Sequence, residues 1–457
     1  MKMTLVGTGV RTPYVLHGLA SRERELGLTE VVLHDTDHER LDVMSALGGH
    51  LCRGWNAAFA VRGEPDPRAA LAGSRFVFTA IRVGQERARA LDEEIPLRHG
   101  VLGQETTGPG GFAMALRTIP AMLDIARVVA EVAPDALLVN FTNPVGIVTQ
   151  ALCDRTPVRA VGVCDGPVSM RASVAEFLGI PEEEVHADYF GLNHAGWIHR
   201  VLVEGRDRLP EILDRYEELA QTEDSWRMFD PELVRVLGML PMEYLYFYYY
   251  RQAAVNNVLA SRGTRGGQIA ALNASLWPVL RERVDAGDLE GARAAWERAM
   301  GTRDATYFAR ERGEAVPSEP GAEPAQDPFE GDGYEGMAIA VMTSAIRPSD
   351  ASLIVDVPNR GAIPGLLDAD VVEVTCTAGE GGGPRSLPQG PMPDVALGLV
   401  QRIKAFERLT VEAAVEGSRD AALRALLTHP LVGTYPLARS ILKEYLSAHA
   451  EFLPRFA

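Results

Sequence analysis

The sequence predicts an α/β protein: a doubly wound parallel sheet with helices on both faces, followed by a second, α+β part. Three observations predict it. Over residues 1–165, short apolar runs alternate with helical segments; polar residues follow the ends of the runs; and a glycine-containing turn joins the first run to a helix. Strands separated by helices are typical of parallel sheets, which bind ligands outside the carboxyl ends of their strands.

The predicted strands of the first half are five apolar runs. They cover residues 3–7, 31–35, 75–81, 136–141 and 158–163, with a helix over 83–94. Further strands are expected at 196–203, 353–357 and 371–375, and helices from about 209, over 336–345 and over 393–450. Because 457 residues are long for one core, we divide the chain into residues 1–190 and 191–457.

The first turn has the features of a dinucleotide site. Gly7 and Gly9 follow the first strand, and Thr12 and Pro13 are typical of an N-cap and a first helical residue. A glycine turn that leads into a helix N-terminus binds phosphate. Asp35 ends the second strand, where an acidic residue binds a ribose hydroxyl. The third glycine of the usual fingerprint is absent. We nevertheless favour a nicotinamide cofactor in a Rossmann-type sheet over an ordinary α/β unit with a surface aspartate.

A thiol and an imidazole are the candidate metal ligands. Cys164 ends the run VGVC and is followed by Asp165, and His194 ends the run FGLNH. Two such groups at the ends of strands are able to share one ion, and a thiolate with an imidazole by itself favours zinc. Either residue alone is more often a buried thiol or a core histidine.

Composition and charge limit the partners. The 45 basic and 62 acidic residues give a net charge of −17, which argues against nucleic-acid or anionic-membrane binding. The first residues lack the pattern of a signal peptide, and the four cysteines are widely spaced. We therefore expect reduced thiols and a cytoplasmic protein.

Three other stretches have unusual composition. Residues 101–111 (VLGQETTGPGG) contain four glycines and a proline, so we expect neither helix nor strand there, but a surface loop or a backbone that lines a site. Residues 240–250 place six aromatics in the last seven positions, which is more typical of a packed core or a subunit interface than of chemistry. Residues 313–333, rich in Pro, Gly and acidic residues, are typical of a mobile surface loop.

A set of short motifs, in one order along the chain, carries a resemblance to a known family. They are IRVG from Ile81, RALDE from Arg89, GQETTGPGG from Gly103, NFTNP from Asn140, CDGP from Cys164, GLNH from Gly191, LPMEYL from Leu240, the pair Thr264 and Arg265, and VPNRGA from Val357. With them the chain resembles glycoside hydrolase family 4, the NAD- and metal-dependent glycosidases. It most resembles the bacterial 6-phospho-β-glucosidases. The resemblance also implies a fold like that of lactate dehydrogenase.

The resemblance implies an elimination mechanism that differs from two-carboxylate glycoside hydrolysis. NAD⁺ takes a hydride from sugar C3, a base removes the acidified C2 proton, and the C1–O bond breaks while a metal stabilises the charged oxygens. Water then adds and the hydride returns, so NAD is recycled. The family uses Mn²⁺ or a similar divalent ion, although the thiolate–imidazole pair favours zinc.

Positions in these motifs imply the site residues. Tyr244 is the C2 base, and its pKa, ordinarily about 10, must be lowered, which a nearby metal and arginine are able to do. Cys164 and His194 hold the metal. The other implied residues are Arg89, Glu105, Asn143, Asn193 and Arg265 for the sugar and its 6-phosphate, and Gly7, Gly9, Arg11, Thr12, Asp35 and Asn140 for the cofactor.

Asp165 leaves the anomeric specificity open. It occupies the position of the leaving-group acid in α-specific members of the family, where many β-specific members have Asn. A 6-phospho-α-glucosidase, or an unphosphorylated glycosidase such as an α-galactosidase, therefore stays an alternative. In a β-specific enzyme, Asp165 tunes the metal or meets a sugar hydroxyl.

Two other classes of protein are rivals. An NAD-dependent hydroxy-acid dehydrogenase shares the architecture but needs no metal, and a non-catalytic NAD sensor needs neither Tyr244 nor the Cys164–His194 pair. Both are disfavoured because those residues are present. The expected partners are a phosphorylated disaccharide or aryl glucoside and further copies of the chain, as a homodimer or homotetramer.

Overall fold

The structure is a computed structural model that describes residues 1–261, 263–314, 329, 336–347, 352–379 and 383–457. Among these residues, the strands form one mixed sheet flanked by helices. The strands are β1 (Lys2–Val6), β2 (Glu30–His34), β3 (Ala60–Gly63), β4 (Phe76–Thr79), β5 (Leu137–Asn140), β6 (Arg159–Gly162), β7 (His186–Leu192), β8 (Ala195–Val203), β9 (Arg206–Asp207), β10 (Leu240–Pro241), β11 (Ser352–Pro358), β12 (Val371–Gly379) and β13 (Gly383–Ser386).

The helices range from one turn to seven turns. They are α1 (Thr12–Ser21), α2 (Glu23–Leu26), α3 (His38–Gly54), α4 (Pro67–Leu71), α5 (Gln85–Arg98), α6 (Gly108–Val132), α7 (Val145–Arg155), α8 (Gly166–Leu178), α9 (Leu209–Asp214), α10 (Tyr216–Leu219), α11 (Asp224–Arg227), α12 (Pro231–Leu237), α13 (Tyr246–Tyr249), α14 (Arg251–Ala260), α15 (Arg265–Asp285), α16 (Leu289–Asp304), α17 (Gly336–Ile346), α18 (Asp394–Glu416), α19 (Arg419–Thr428) and α20 (Tyr435–Ala448). Short 3₁₀ helices cover Glu182–Glu184, Glu243–Leu245, Ala450–Phe452 and Pro454–Phe456.

The first six strands form a parallel sheet in the order β3-β2-β1-β4-β5-β6. This is the strand order of the doubly wound dinucleotide-binding fold, in which the order reverses between β1 and β4. The strands read as apolar runs because both faces of the sheet are covered by helices. The predicted fold class is confirmed. The edge strand β3, mostly exposed, has no apolar run and was not predicted.

The second half extends the sheet with antiparallel strands. Strand β11 pairs with β6 at one position and with β12 along its length, and β12 continues to β7, β8 and β10. Strand β7 brings Asn193 and His194 to the same edge at which β6 delivers Cys164. The predicted boundary between residues 190 and 191 falls inside β7 (His186–Leu192).

Helix α5, which carries Arg89, is fixed by a buried polar network. Arg117 of α6 donates to both carboxylate oxygens of Asp92 at 2.8 and 2.6 Å, and Tyr445 of α20 donates to the Asp92 carbonyl at 2.7 Å. All three side chains are buried. Removing one partner of a buried ion pair costs several kcal/mol, so α5 is held firmly between α6 and α20.

The prediction that residues 101–111 contain no helix is wrong, because α6 begins at Gly108. A Cβ on Gly110 would lie 2.1 Å from the Gln104 carbonyl oxygen, and one on Gly111 would lie 2.3 Å from that of Thr106. The glycines are thus needed where the first helical turn packs directly on the preceding loop. Composition alone does not distinguish this use of glycine from a flexible loop.

Two further predictions concern surface segments and membranes. Of the predicted loop at 313–333, residues 315–328 and 330–333 lie outside the described residues, so its mobility stays a prediction. Within the described part of the chain, helices long and apolar enough to cross a bilayer are absent.

Candidate active site

The glycine turn after β1 is shaped by a close backbone approach. Gly7 has φ +99°, and its N–H donates to the carbonyl of His34 at 2.9 Å. A Cβ at this position would lie 2.5 Å from the carbonyl oxygen of Ala80, just beyond β4. Gly9 differs, since a Cβ there would meet no atom within 4 Å. Gly7 therefore lets the ends of β1 and β4 approach, whereas Gly9 leaves space beside the turn.

The predicted N-cap of α1 is displaced by one residue. Arg11 occupies the N-cap position without a side-chain cap, and Thr12 is the first helical residue. The Thr12 hydroxyl is buried, and among the described residues it has no hydrogen-bond partner. An unpaired buried hydroxyl at a helix N-terminus fits a phosphate oxygen.

Asp35 lies where the prediction placed it, at the end of β2. Its Oδ2 accepts hydrogen bonds from the backbone N–H and hydroxyl of Thr8 at 2.7 and 3.1 Å, and its Oδ1 accepts from the N–H of Asp37 at 2.9 Å. These bonds hold the carboxylate beside the glycine turn, with lone pairs left to accept from a ribose hydroxyl.

A cavity of about 840 Å³ runs along this edge of the sheet. Its walls include most of the predicted cofactor residues and several of the predicted sugar residues. From the predicted set, they are Gly7, Gly9, Arg11, Thr12, Asp35, Arg89, Glu105 and Asn143. The volume lies within the range of small-molecule and cofactor sites in proteins, so the cavity has room for a large ligand.

The predicted cofactor residue Asn140 has a structural role next to the cavity. Its side chain is fully buried and does not line the cavity. Its Oδ1 accepts from the Thr79 hydroxyl and the Thr142 N–H at 3.1 and 3.0 Å, and its Nδ2 donates to the Thr149 hydroxyl at 3.0 Å. The residue therefore braces the turn that presents Asn143, and its amide is already satisfied within the protein.

The predicted metal ligands lie side by side. Cys164 Sγ and His194 Nε2 are 3.6 Å apart. Two ligands at about 2.3 Å (sulfur) and 2.1 Å (nitrogen) from a tetrahedral zinc ion would have nearly this separation. The other ring nitrogen, Nδ1, lies 2.7 Å from the Thr106 hydroxyl, which fixes the orientation of the imidazole. Within the described residues, clusters of three or more His, Cys, Asp or Glu side chains able to hold a metal are absent. The pair thus leaves most coordination positions open.

The protonation states of Cys164 and His194 are compatible with binding of a metal ion. Burial lowers the pKa of His194 to about 4, so the imidazole is neutral and able to donate its lone pair at pH 7. Burial, followed by Asp165 and Glu373, raises the pKa of the Cys164 thiol well above its ordinary value. The positive charge of a divalent ion is what would stabilise the thiolate in this position.

Tyr244 stacks on His194, with ring centroids 3.9 Å apart and planes inclined by 5°. Burial and then Glu243 raise the pKa of its hydroxyl well above the ordinary value, while a hydrogen bond with Tyr307 opposes them in part. The predicted lowering of the Tyr244 pKa is therefore not supplied by the protein groups themselves. It depends on a charge that binds beside the ring.

Asn193 and Asp165 are chain neighbours of the predicted metal ligands: Asn193 precedes His194, and Asp165 follows Cys164. The Asn193 amide donates to Glu373 Oε1 at 3.1 Å, and Tyr189 donates to Glu373 Oε2 at 2.9 Å. Glu373 is fully buried, so it serves as a fixed anchor for Asn193. Asp165 directly follows Cys164 at the start of α8, and its carboxylate Oδ1 lies 3.7 Å from the thiol.

Arg89 and Glu105 form one ion-paired unit at the cavity wall. Glu105 Oε2 lies 2.8 Å from Arg89 Nη1 and 2.7 Å from Arg82 Nη2, and Arg89 Nε donates to Glu93 at 3.0 Å. Burial alone would raise the pKa of Glu105, but Arg89 and Arg82 outweigh it and hold that pKa well below its usual range. Glu105 is thus a carboxylate that orients two arginines, in addition to facing the cavity.

Arg265, which is predicted to bind the sugar or its 6-phosphate, lies against Arg303 at the end of α16. Arg265 donates to the carbonyls of Arg303 and Thr306 at the end of α16 and is not among the residues that line the cavity. Arg303, which sequence reasoning missed, lines the cavity, and its buried Nε lacks a hydrogen-bond partner among the described residues. Burial, then Arg11, Arg89 and Arg265, lowers the pKa of Arg303 to about 9. Such crowding of positive charge favours an anion in the cavity.

No local pattern in the sequence would have identified Arg303. Its helix, α16, is placed by contacts with the glycine turn and α1: Trp296 donates to the Val10 carbonyl at 2.6 Å, and its ring meets Tyr14 edge-on with centroids 5.1 Å apart. These contacts join segments almost 300 residues apart along the chain, so only the folded protein brings Arg303 to the cavity.

Comparisons with known proteins give matches over both halves of the chain. Residues 2–180 match the family described as Family 4 glycosyl hydrolase, and residues 189–432 match the Family 4 glycosyl hydrolase C-terminal domain. The chain is 32% identical over 467 residues to the 6-phospho-β-glucosidase of Escherichia coli (strain K12), with 100% of this chain and 97% of that protein covered.

Two solved structures are similar over 99% of both chains. One is the 6-phospho-β-glucosidase from Thermotoga maritima with manganese, NAD⁺ and glucose-6-phosphate, at a TM-score of 0.81 and 25% identity. The other is a 6-phospho-α-glucosidase from gut microorganisms in complex with NAD and Mn²⁺, at a TM-score of 0.80 and 27% identity. The similarity thus extends across both halves of the chain and to proteins of both anomeric specificities.

Proposed function

Because this chain belongs to the family 4 glycosyl hydrolases, we propose that it hydrolyses 6-phospho-β-glucosides, using bound NAD and a divalent cation. The observation that carries the proposal is the placement of three groups at one edge of the sheet. Cys164 and His194 lie 3.6 Å apart, Tyr244 stacks on His194, and the dinucleotide-type turn opens into the adjoining cavity.

The residues present fit both groups that the reaction requires. The unpaired Thr12 hydroxyl and the space beside Gly9 suit a pyrophosphate, and Asp35 suits a ribose. Cys164 and His194 suit an ion that keeps positions open for substrate oxygens. When bound, NAD⁺ supplies a hydride acceptor for a sugar carbon, and the ion supplies positive charge for the oxygens that become negative. Mn²⁺ is the ion of the Thermotoga maritima structure.

The side chains of this protein then have defined tasks. Tyr244, as phenolate, is the base for the proton on sugar C2; an ion held by His194, on which Tyr244 stacks, would supply the positive charge that lowers the Tyr244 pKa. Asn193, held by Glu373, donates or accepts a hydrogen bond with a sugar hydroxyl. The cavity is lined partly by apolar residues such as Ile81, Val83 and Ile269, which limits access of water to the reacting carbons.

The 6-phosphate is bound by arginine. Arg89 and Arg303 line the cavity. Arg11 and Arg265 add positive charge next to Arg303. Arginine binds phosphate oxygens through paired N–H donors, so Arg303 is the strongest candidate for a direct contact. Arg265 supports this contact indirectly, because it donates a hydrogen bond to the Arg303 carbonyl at the end of α16.

A 6-phospho-α-glucosidase is the second candidate. It is favoured by Asp165, which stands next to the metal ligand Cys164 in the position that holds the leaving-group acid in α-specific members of the family. The similarity to the 6-phospho-α-glucosidase structure has the same coverage as the similarity to the β-specific one.

One panel of assays tests the proposal. The enzyme is given nitrophenyl α- and β-glucosides, each with and without a 6-phosphate, and NAD⁺ and Mn²⁺ are omitted in turn. We expect the 6-phospho-β-glucoside to be cleaved fastest, and only with both additions. Fastest cleavage of the α-anomer supports the second candidate. Stoichiometric release of NADH from a hydroxy acid, without glycoside cleavage, would identify a dehydrogenase and refute the proposal.

We also infer the setting and assembly of the enzyme. All four cysteines are free, which fits reduced thiols in a cytoplasmic protein. Phosphorylated disaccharides or aryl glucosides are the expected substrates, and a homodimer or homotetramer is the expected assembly. Gel filtration with light scattering measures the latter directly.

A further inference from the structure

Two side chains next to the proposed base are not used by the mechanism above. Tyr307 follows the end of α16, and Glu243 directly precedes Tyr244 in its 3₁₀ helix. The hydroxyls of Tyr244 and Tyr307 are 3.1 Å apart, and the Tyr307 hydroxyl lies 2.8 Å from Glu243 Oε1. The three groups form a continuous hydrogen-bonded chain.

We propose that Tyr307 and Glu243 form a proton-exchange route between Tyr244 and solvent. The inference rests on the proposed function, in which Tyr244 takes the proton from sugar C2. A base that has accepted a carbon-bound proton retains it unless another group removes it. The route would let that proton leave, and a solvent proton enter, before it returns to carbon.

Each tyrosine hydroxyl has a single proton to donate, which limits the possible directions of these hydrogen bonds. An ionised Glu243 carboxylate only accepts hydrogen bonds, so Tyr307 donates its single proton to Glu243. While Tyr244 is protonated, its hydroxyl is then the donor to the Tyr307 oxygen. In this state both hydrogen bonds run from Tyr244 toward Glu243, which is the order needed to carry a proton outward from Tyr244.

Solvent exposure differs among the three hydrogen-bonded side chains. Tyr244 is 7% exposed, whereas Tyr307 is 48% exposed and Glu243 is partly exposed. Solvent thus reaches the outer two groups far more readily than it reaches the base. A hydroxyl that touches both a buried phenol and a partly exposed carboxylate is a suitable bridge between them.

The proton transfer balances without any oxidant or reductant. The Tyr244 hydroxyl gives its proton to the Tyr307 oxygen while the Tyr307 proton passes to Glu243 Oε1, and the resulting carboxylic acid loses a proton to water. Tyr244 is left as phenolate, Tyr307 is neutral and Glu243 is again a carboxylate. The reverse sequence brings one solvent proton to Tyr244.

The state of Glu243 is compatible with this role. Burial raises its pKa to about 7, the Tyr307 hydrogen bond opposes the increase, and Asp165 and Glu223 add to it. A carboxyl group that titrates near neutral pH both accepts and releases protons readily, as general acid–base groups do.

The experiment is hydrolysis in D₂O with NAD⁺, Mn²⁺ and nitrophenyl 6-phospho-β-glucoside. NMR or mass spectrometry gives the fraction of product that carries deuterium at C2. The variants are Tyr307→Phe, which keeps the ring that packs edge-on against Phe308 at 4.8 Å, and Glu243→Gln, which keeps both tyrosines. Tyr435→Phe is the matched control, because Tyr435 is an exposed tyrosine in another helix.

We expect label per bond cleaved to fall at least about tenfold in both variants and to stay unchanged in the control. The label per bond cleaved in the double variant should be no lower than in either single variant. The label fraction is a ratio per turnover, so a smaller amount of folded enzyme does not alter it. Wild-type label in both variants would overturn the route while leaving the proposed function in place. A wild-type enzyme that cleaves glycosides without NAD⁺ and Mn²⁺ would refute both.

Discussion

The ring of Tyr244 lies flat on the imidazole of His194, 3.9 Å away and nearly parallel to it. The imidazole is held in turn by the Thr106 hydroxyl on one nitrogen and lies beside the Cys164 thiol with the other. The proposed base is therefore in direct contact with a proposed metal ligand. A displacement of either ring would alter both the position of the base and the geometry of the metal site. This relationship gives the following expectations for variants.

Cys164→Ser should reduce Mn²⁺-dependent activity by at least about 100-fold, because an alcohol is a much weaker ligand than a thiolate. NAD binding, followed by fluorescence titration, should persist, since the glycine turn and Asp35 are untouched. Cys153→Ser is the matched control, because Cys153 lines a separate pocket of the chain. Full activity of Cys164→Ser would remove the thiol from the metal site.

Thr106→Val should weaken Mn²⁺ binding by about 10–100-fold, because it removes the hydroxyl that orients His194 at 2.7 Å while keeping the shape of the side chain. The measurement is activity as a function of Mn²⁺ concentration, and saturating metal should restore most of the rate. Thr107→Val makes the same change one residue further on and should have little effect. Equal Mn²⁺ dependence in the two variants would contradict the assigned role of Thr106.

Arg303→Gln should lower kcat/KM for 6-phospho-glucosides by about 10–100-fold, which corresponds to ~1.5–3 kcal/mol for a lost hydrogen bond to a charged group. Plain glucosides, which lack the phosphate, should be affected much less. Arg298→Gln lies on the exposed side of the same helix and serves as the control. A similar loss for both substrates would exclude a direct phosphate contact by Arg303.

Two glycine variants should separate folding from cofactor binding. Gly7→Ala forces a side chain into φ +99° and places its Cβ 2.5 Å from a backbone carbonyl, so it should destabilise the fold by at least about 1–3 kcal/mol. Gly9→Ala meets no atom and should keep the wild-type Tm, but bind NAD more weakly. Thermal melts with and without NAD measure both effects. A cofactor affinity unchanged by Gly9→Ala would argue against a pyrophosphate beside that residue.

Exchange of solvent label into C2 should increase with pH through about 7. Burial raises the Glu243 pKa to about 7 from an ordinary carboxyl value, so below that pH the group already holds a proton and cannot accept another. The groups that face Glu243 are Tyr307, Asp165 and Glu223. Label per turnover, measured from pH 5.5 to 8.5, should follow this titration in the wild type. In Glu243→Gln the profile should be flat, and an unchanged profile would assign the titration to another group.

Much of the architecture followed from short-range features of the sequence. Apolar runs that end in polar residues predicted the parallel strands, because strand burial and turn chemistry depend on residues close together in the chain. The same logic predicted that Gly7, Asp35 and Cys164 lie at one edge of the sheet. The motifs that resemble a glycosidase family predicted the pairing of Cys164 with His194, which composition and spacing leave undecided.

Tertiary packing alone decided the rest. Sequence could not show that Asn140 is buried beneath the cavity, that Arg303 is turned toward it by α16, or that Tyr307 meets Glu243 and Tyr244. Each of these relationships joins segments whose separation along the chain has no local signal, or depends on which face of an element is covered. The sequence determined where chemically active residues occur on each strand and loop, and the packing of distant helices determined which of them touch.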